Sequence, residues 1–166
     1  MMKYKKFLQT YIFNFSKRFI ILFAVLLCLW AIYLTNPLFL VFIQGDSMSP
    51  AFHHADVTYF TKDISELSQG DIIVFKHDND VFVKRIKAVP GSLYYRNNNL
   101  PTTFDIEYVN VFKNNYNFIH KNHIEMLQLE YDEFFVQGDN STVSIDSKTY
   151  GPIRKKDIIG KYISLK

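Results

Sequence analysis

The sequence predicts a mostly β domain that follows a single apolar helix near the amino end. Residues 19–34 run without a charged side chain, and Pro37 follows closely. Beyond Pro37 the chain changes to short segments rich in Val, Ile, Phe, Tyr and Thr, separated by turn-forming residues, which is typical of strands. A chain of 166 residues has room for this helix and one small domain.

The apolar run predicts one membrane-spanning helix. Its sixteen residues rise by about 24 Å as a helix, against a hydrocarbon core of about 30 Å, and flanking residues can extend it. Basic residues precede the run and none follows directly, which places the amino end in the cytoplasm by the positive-inside rule. We therefore expect a cytoplasmic basic amino terminus over 1–18, a transmembrane anchor in the inner or plasma membrane over 19–36, and an extracytoplasmic domain over 37–166.

A cleavable secretion signal would share the basic start and the apolar centre. Its apolar centre is usually shorter, roughly 7 to 15 residues, and a cleavage site of small residues follows it. Residues 35–39 offer no such site, which favours retention of the helix as an anchor.

The distribution of charge and cysteine argues against nucleic-acid binding, disulfides and thiolate metal sites in the main domain. The strongest basic cluster lies in residues 1–18, which hold five basic residues and no acid, so the remainder is slightly acidic and unsuited to nucleic acid. The only cysteine, Cys28, lies inside the apolar run. The outer domain therefore has neither a disulfide nor a thiolate metal site.

Eight segments beyond Pro37 have the composition of strands, and 77–80 is a plausible hairpin turn between two of them. Residues 93–132, rich in asparagine, are interpreted as a variable insertion. The predicted strands are 40–43, 57–61, 71–76, 81–88, 93–96, 124–129, 134–137 and 158–164.

The strand predicted over 81–88 carries a lysine on an apolar face. Alternation places Lys84 with Phe82, Ile86 and Ala88, opposite the face of Arg85. If that face is buried, desolvation lowers the lysine pKa, and a neutral amine could accept a proton near neutral pH. The alternative is an edge-strand lysine that reaches water and blocks aggregation.

Ser47 lies in Gly45-Asp46-Ser47-Met48-Ser49-Pro50, where a serine is by itself only a turn residue. A serine nucleophile needs an exposed hydroxyl, a base within hydrogen-bond reach and backbone donors for the oxyanion. Gly45 lets the backbone approach closely. Lys84 is the candidate base.

Three motifs together resemble the type I signal peptidase family. They are Gly-x-Ser-Met-x-Pro after a membrane anchor, Val-Lys-Arg before Val-Pro-Gly, and Gly-Asp-Asn-x-x-x-Ser-x-Asp-Ser-Lys-x-x-Gly starting at Gly138. The resemblance runs from the anchor to about Gly160, apart from the loop-rich stretch after Gly91. It implies an antiparallel, β-barrel-like peptidase domain with a Ser/Lys dyad.

The resemblance also assigns roles to single residues. Ser47 matches the nucleophile, Lys84 the general base, and Ser144 the hydroxyl that orients the lysine. The backbone at Ser47 and Gly45 would form the oxyanion site. Structural support is expected from the remaining matched positions, where Asp146 pairs with Lys148, together with Asp139 and Arg85.

Two positions depart from the family pattern. Bacterial members often have an oxyanion-completing serine where this chain has Gly45, although other branches look as if they carry glycine there. Lys148 stands where arginine is usual, and a lysine cannot form the planar bidentate contact that arginine would make with Asp146.

The implied activity is removal of signal peptides from preproteins as they emerge from the translocation machinery. Shallow apolar pockets, lined by the Ser47 segment and strands 57–61 and 81–88, would select small residues before the cleavage site. The substrate would bind as an added strand, at the surface of the membrane lipid. Neither a metal nor an organic cofactor is expected.

Other histidines suggest weaker hypotheses. His53 and His54 follow the nucleophile segment, but a polar turn is a commoner place for exposed histidines than a Ser-His-Asp triad. His120 and His123 have helical spacing, yet no neighbouring ligand pattern completes a zinc site.

Three alternatives stay open at this point. A self-cleaving protein of the LexA type shares the Ser/Lys logic, but the anchor and the segment after Gly138 disfavour it. A dedicated, conjugation-associated TraF-type peptidase would process prepilin or another special substrate beside conjugation machinery. A membrane-tethered domain that binds exported chains without cutting them becomes credible if Gly45 has abolished the oxyanion site.

Overall fold

The computed structural model describes residues 2–35, 37–97, 104–107, 109–110, 115, 119 and 124–164, and within the first helix the side chains of 17–32 and 35 only. The chain divides into two compact units, Met1–Pro37 and Leu38–Lys166. The histidines at 120 and 123 lie outside the described residues, so the expectation that they form no zinc site stays untested.

The first unit is one helix, α1, over Met2–Thr35. It includes the apolar run and ends two residues before Pro37, as expected from the fixed φ and missing N–H of proline. The Thr35 hydroxyl donates back to the carbonyls of Ala31 and Ile32 in the last turn. Among the helical residues that the structure describes, none form a segment with both the length and the apolar character of a membrane span.

The second unit is mostly β, as predicted. Its main sheet has seven strands in the order β1, β2, β10, β3, β4, β8, β9, and every pairing is antiparallel. The bounds are β1 Leu38–Phe42, β2 Val57–Thr61, β3 Ile72–His77, β4 Asp80–Ala88, β8 Glu133–Gln137, β9 Ile153–Arg154 and β10 Ile158–Tyr162.

A second sheet has three strands in the order β6, β5, β7. Its strands are β5 Leu93–Asn97, β6 Phe104–Asp105 and β7 Ile124–Gln128, all within the predicted insertion. Tyr94 of β5 packs with Phe135 of β8 in a small apolar cluster that joins the two sheets. A short helix, α2, over Ser147–Tyr150 and a 3-10 turn over Lys155–Asp157 complete the described elements.

Strand β3 lies between β10 and β4 and is apolar on both faces. Ile73 and Phe75 belong to one core cluster, while Ile72 and Val74 belong to another on the opposite face. All four are less than 7% exposed. A continuous run of large apolar residues is what a strand covered on both faces requires.

All eight predicted strands form, each within two residues of the predicted bounds. The barrel-like expectation is wrong for the described residues, because the main sheet is open and ends at β1 on one side and at β9 on the other. The two-residue strands β6 and β9 and the helix α2 were not predicted.

Candidate active site

Ser47 lies in a loop between β1 and β2, residues 43–56, which we call the Ser47 loop. Backbone hydrogen bonds close its base, from Ile43 N to Asp56 O at 2.8 Å and from Ala55 N to Ile43 O at 2.9 Å. Met48 in the loop is 1% exposed and packs into the second core cluster. The loop is therefore fixed to the domain on either side of a half-buried Ser47.

Lys84 lies on β4, directly opposite Ile73 of β3. Its side chain faces the buried side predicted from the alternation, and the residue is 3% exposed. Lys84 Nζ is hydrogen-bonded to Ser47 Oγ at 2.6 Å. The structure thus joins two side chains that lie 37 residues apart in the sequence.

Burial lowers the pKa of the Lys84 amine, because the charged form loses its hydration there, while the negative charge of Asp146 raises this pKa to a smaller extent. The ring of Phe82 lies 5.8 Å from Nζ and forms part of the apolar surroundings. A lysine with a lowered pKa has a larger neutral fraction near physiological pH. The neutral amine can accept a proton from the adjacent hydroxyl.

The third motif folds around the carboxylate of Asp146, which is 3% exposed. Ser144 Oγ donates to Asp146 Oδ2 at 2.6 Å, and Gly138 N donates to the same oxygen at 3.0 Å. The other oxygen caps α2 by accepting from Lys148 N at 3.0 Å. Three donors therefore hold this buried carboxylate near Lys84.

Gly138 lies where the third motif meets the Ser47 loop. A Cβ at this position would stand 2.3 Å from Ser144 Oγ and 2.4 Å from the carbonyl oxygen of Ser47. That carbonyl also accepts a hydrogen bond from Asn140 N at 3.0 Å. Only glycine permits this close approach of the backbone to both candidate residues.

Arg85 and Asp139, which the resemblance implies as structural support, form a bidentate ion pair. Arg85 Nε and Nη2 donate to the two carboxylate oxygens of Asp139 at 2.8 and 2.6 Å, and Nη1 donates to Gly70 O at 2.8 Å. The hydrogen bond to Asp139 raises the pKa of Arg85 above its usual value. The pair links β4 to the motif that follows β8.

The expected ion pair between the side chains of Lys148 and Asp146 is not what the structure contains. Lys148 Nζ lies 3.1 Å from Asp105 Oδ2 and 3.9 Å from Glu107 Oε2 instead. The physical reason is that the oxygens of Asp146 already accept the hydrogen bonds of Ser144, Gly138 and the Lys148 backbone. Lys148 thus connects α2 to β6 of the small sheet.

The expected oxyanion role of the Gly45 backbone also needs correction. Gly45 N–H donates to Nδ1 of His54 at 3.1 Å, so this donor is already occupied. The expected role of the Ser47 N–H as an oxyanion donor stays a prediction. No feature of the sequence signalled the His54 contact, because a single imidazole in a polar turn has no distinctive pattern.

A cavity of about 240 Å³ opens beside Ser47 and Lys84. Strand β1, the Ser47 loop and β4 line it, and its apolar wall includes Val41, Ile43, Met48, Phe82 and Val83. The predicted contribution of strand 57–61 is wrong for the described residues. Strand β2 is paired on both sides, to β1 and β10, and β1 takes the position next to the cavity.

A half-buried hydroxyl, an amine with a lowered pKa and an apolar cavity beside them form a site suited to nucleophilic hydrolysis. Such a site, on a mostly β domain, contains the groups that a serine hydrolase with an amine base in place of a histidine would require.

Comparisons with known proteins identify the family. The family model described as "Signal peptidase, peptidase S26" matches residues 13–165. Signal peptidase I V of Bacillus subtilis is 29% identical over 161 residues, with 87% of this chain and 96% of the relative covered. Signal peptidase IB of Staphylococcus aureus is 30% identical over 183 residues, with 95% and 88% covered.

A crystal structure of a signal peptidase I from Enterococcus faecalis is 19% identical, covering 59% of this chain and 97% of that chain. Its TM-score of 0.39 is too low to add to the description of the fold. On the family match, this chain belongs to the signal peptidase family S26. It is a serine peptidase, and therefore a hydrolase.

Proposed function

We propose that this peptidase removes signal peptides from exported preproteins, with Ser47 as nucleophile and Lys84 as general base. The observation that carries the proposal is the 2.6 Å contact between Ser47 Oγ and a Lys84 side chain that is 3% exposed. The names of the relatives support the substrate class.

The reaction follows from the chemistry of the two groups. Neutral Lys84 accepts the hydroxyl proton as Ser47 Oγ attacks the scissile carbonyl, and the tetrahedral intermediate collapses to an ester on Ser47. The proton on Lys84 passes to the departing amine. Lys84 then takes a proton from water and the resulting hydroxide attacks the ester. As the carboxylic acid product leaves, the proton on Lys84 passes to Ser47 Oγ, which restores the hydroxyl and the neutral amine.

In this proposal the backbone N–H of Ser47 stabilises the oxyanion. Removal of a single oxyanion donor from a serine hydrolase costs about 2.7 to 4 kcal/mol of transition-state stabilisation. Because the Gly45 N–H donates to His54, we expect turnover to depend strongly on the orientation of the Ser47 peptide.

Substrate selection would come from the cavity and from strand addition. Among the described strands β1 is at one end of the main sheet, so an extended peptide can pair along its residues 40–42 and run past Ser47. The apolar wall of the cavity can contact the side chains before the cleavage site, and selection of small residues there rests on the family resemblance. Suitable substrates are preproteins delivered by translocation machinery, and a prepilin delivered by conjugation machinery would fit the same chemistry.

We propose that the domain works at a membrane surface on the extracytoplasmic side, with residues 19–36 as anchor. The charge-free run and its basic flank support this location. On the second unit, the cross-strand pairs Leu40 with Tyr59 and Phe42 with Val57 expose an apolar face, where Phe42 is 74% exposed. Exposed apolar faces of this kind fit lipid better than water.

The test is cleavage of a preprotein by the full chain purified in detergent. Ser47→Ala should abolish cleavage, and Lys84→Ala should reduce kcat by about 10²- to 10⁴-fold, the contribution of a general base. Ser49→Ala and Lys87→Ala are matched controls, since one is a neighbouring serine and the other lies on the same strand facing away. Both should retain activity.

The cut position, read by mass spectrometry, should follow small residues. Cleavage that persists in Ser47→Ala and Lys84→Ala would rule out the dyad. A parent chain that binds the preprotein without cutting it would favour the binding-domain alternative.

A further inference from the structure

His54 contacts the two residues directly before Ser47. Its Nδ1 accepts the hydrogen bond of Gly45 N–H at 3.1 Å, and its own backbone N–H donates to Asp46 Oδ1 at 3.1 Å. One residue near the end of the Ser47 loop therefore holds the beginning of the same loop through both its side chain and its backbone.

Gly45 is a position where the backbone needs such a contact. Its φ is +83°, and glycine adopts positive φ about as readily as negative φ, so the residue itself does not fix the backbone conformation. Among the described residues, no atom lies within 4 Å of where its Cβ would be, so side-chain packing does not fix it either. The imidazole of His54 supplies a directional contact there.

The direction of the Ser47 N–H depends on the backbone at Gly45 and Asp46. A change in the backbone of Gly45 turns the peptide plane between Asp46 and Ser47, and the N–H in that plane is the proposed donor to the oxyanion. Oxyanion donors act by being preoriented toward charge that develops only in the transition state. A loosened Gly45 would therefore impair the chemical step more than the binding of substrate.

We propose that His54 is a positioning residue for the oxyanion donor of Ser47, an inference that rests on the proposed function. Nδ1 of His54 accepts from Gly45 N–H and so holds the backbone that precedes Asp46 in place.

His53 provides a matched control. Its backbone N–H donates to Asp56 Oδ2 at 2.7 Å, and its Nδ1 lies 3.9 Å from the same oxygen. These contacts are at the far end of the loop from Gly45. His53→Ala thus removes an exposed imidazole of the same loop without removing the contact at issue.

The experiment compares His54→Ala, His54→Asn and His53→Ala with the parent chain, with kcat and KM measured on a preprotein at a single pH. His54→Ala should lower kcat by about two- to tenfold, the range expected for one net hydrogen bond, with KM unchanged. His54→Asn should retain activity, because the amide oxygen takes the place of Nδ1 as acceptor. His53→Ala should match the parent.

The split between kcat and KM is the readout that a purely structural role would not move. A loosened Gly45 misorients the Ser47 N–H, which acts only in the transition state, so the loss should fall on kcat and leave KM unchanged. Recovery of kcat in His54→Asn would assign the effect to the hydrogen-bond acceptor at this position.

Parent-like kcat in His54→Ala, a loss in His54→Asn as large as that in His54→Ala, or a rise in KM in His54→Ala as large as the fall in kcat would overturn this inference alone. A parent chain that cannot cleave any preprotein would overturn the proposed function and this inference with it. Thermal unfolding of each variant distinguishes a loss of folded protein from a loss of turnover.

Discussion

Substitution of Gly138 by alanine should disable the site without removing any side chain from it. The new Cβ would stand 2.3 Å from Ser144 Oγ and 2.4 Å from Ser47 O, where ordinary contact begins at 3.4 Å. Each neighbour must therefore move by about 1 Å, and a displacement of that size in a catalytic site costs roughly 100-fold in rate. We expect kcat/KM for a preprotein to fall by about that factor.

Overpacking also lowers stability, by about 1 to 3 kcal/mol, so the assay needs a control for folding. Gly160→Ala provides it, because a Cβ there would meet Thr61 O at 2.5 Å and the ring of Phe39 at 2.7 Å, away from Ser47 and Ser144. Urea unfolding should show losses of similar size for the two variants. If kcat/KM falls equally in both, or stays at the parent level in Gly138→Ala, the reasoning about close approach is refuted.

Two further predictions concern stability. Burial lowers the pKa of Lys84 in the folded protein, whereas an unfolded lysine keeps its proton up to about pH 10.4. At pH values between the folded and the unfolded pKa, unfolding therefore takes up a proton. The free energy of unfolding of the parent should rise with pH across that window by about 1.4 kcal/mol per unit. Lys84→Met should lack this rise and be the more stable protein at the low end of the window. Urea unfolding at a series of pH values measures the two free energies of unfolding, and parallel pH profiles of parent and variant would contradict the prediction. Arg85→Lys should lower the free energy of unfolding by about 1 to 3 kcal/mol, because it removes the two-toothed contact with a mostly buried Asp139. A change of less than about 0.5 kcal/mol, the range of ordinary surface substitutions, would show that the second contact is not needed.

Local sequence pattern accounts for the strands and for the burial of Lys84. The run at 72–75 is apolar at every position, and the structure covers both of its faces. The alternation over 81–88 placed Lys84 on an apolar face, and the side chain is buried there. These outcomes depend on period and composition, which a sequence displays directly.

Contacts between distant segments account for what the sequence could not show. Lys148 of α2 pairs with Asp105 of the small sheet because the oxygens of Asp146 are already occupied, and no motif encodes that competition. The bond from Gly45 N–H to His54 depends on the path of an irregular loop. Strands as short as β6 and β9, two residues each, contain too few residues for any period to be visible.

The pairing of β4 with its two neighbours determines which amino acid the nucleophile meets. Ile73 stands opposite Lys84, and β4 is also paired to β8, so both partners set its alignment. A slip of β4 by one residue would present Val83 or Arg85 to Ser47, and a slip by two would carry the amine a full pleat repeat, about 7 Å, along the sheet. The two-residue turn 78–79 can therefore change in length only if the added or removed residue leaves this pairing in place.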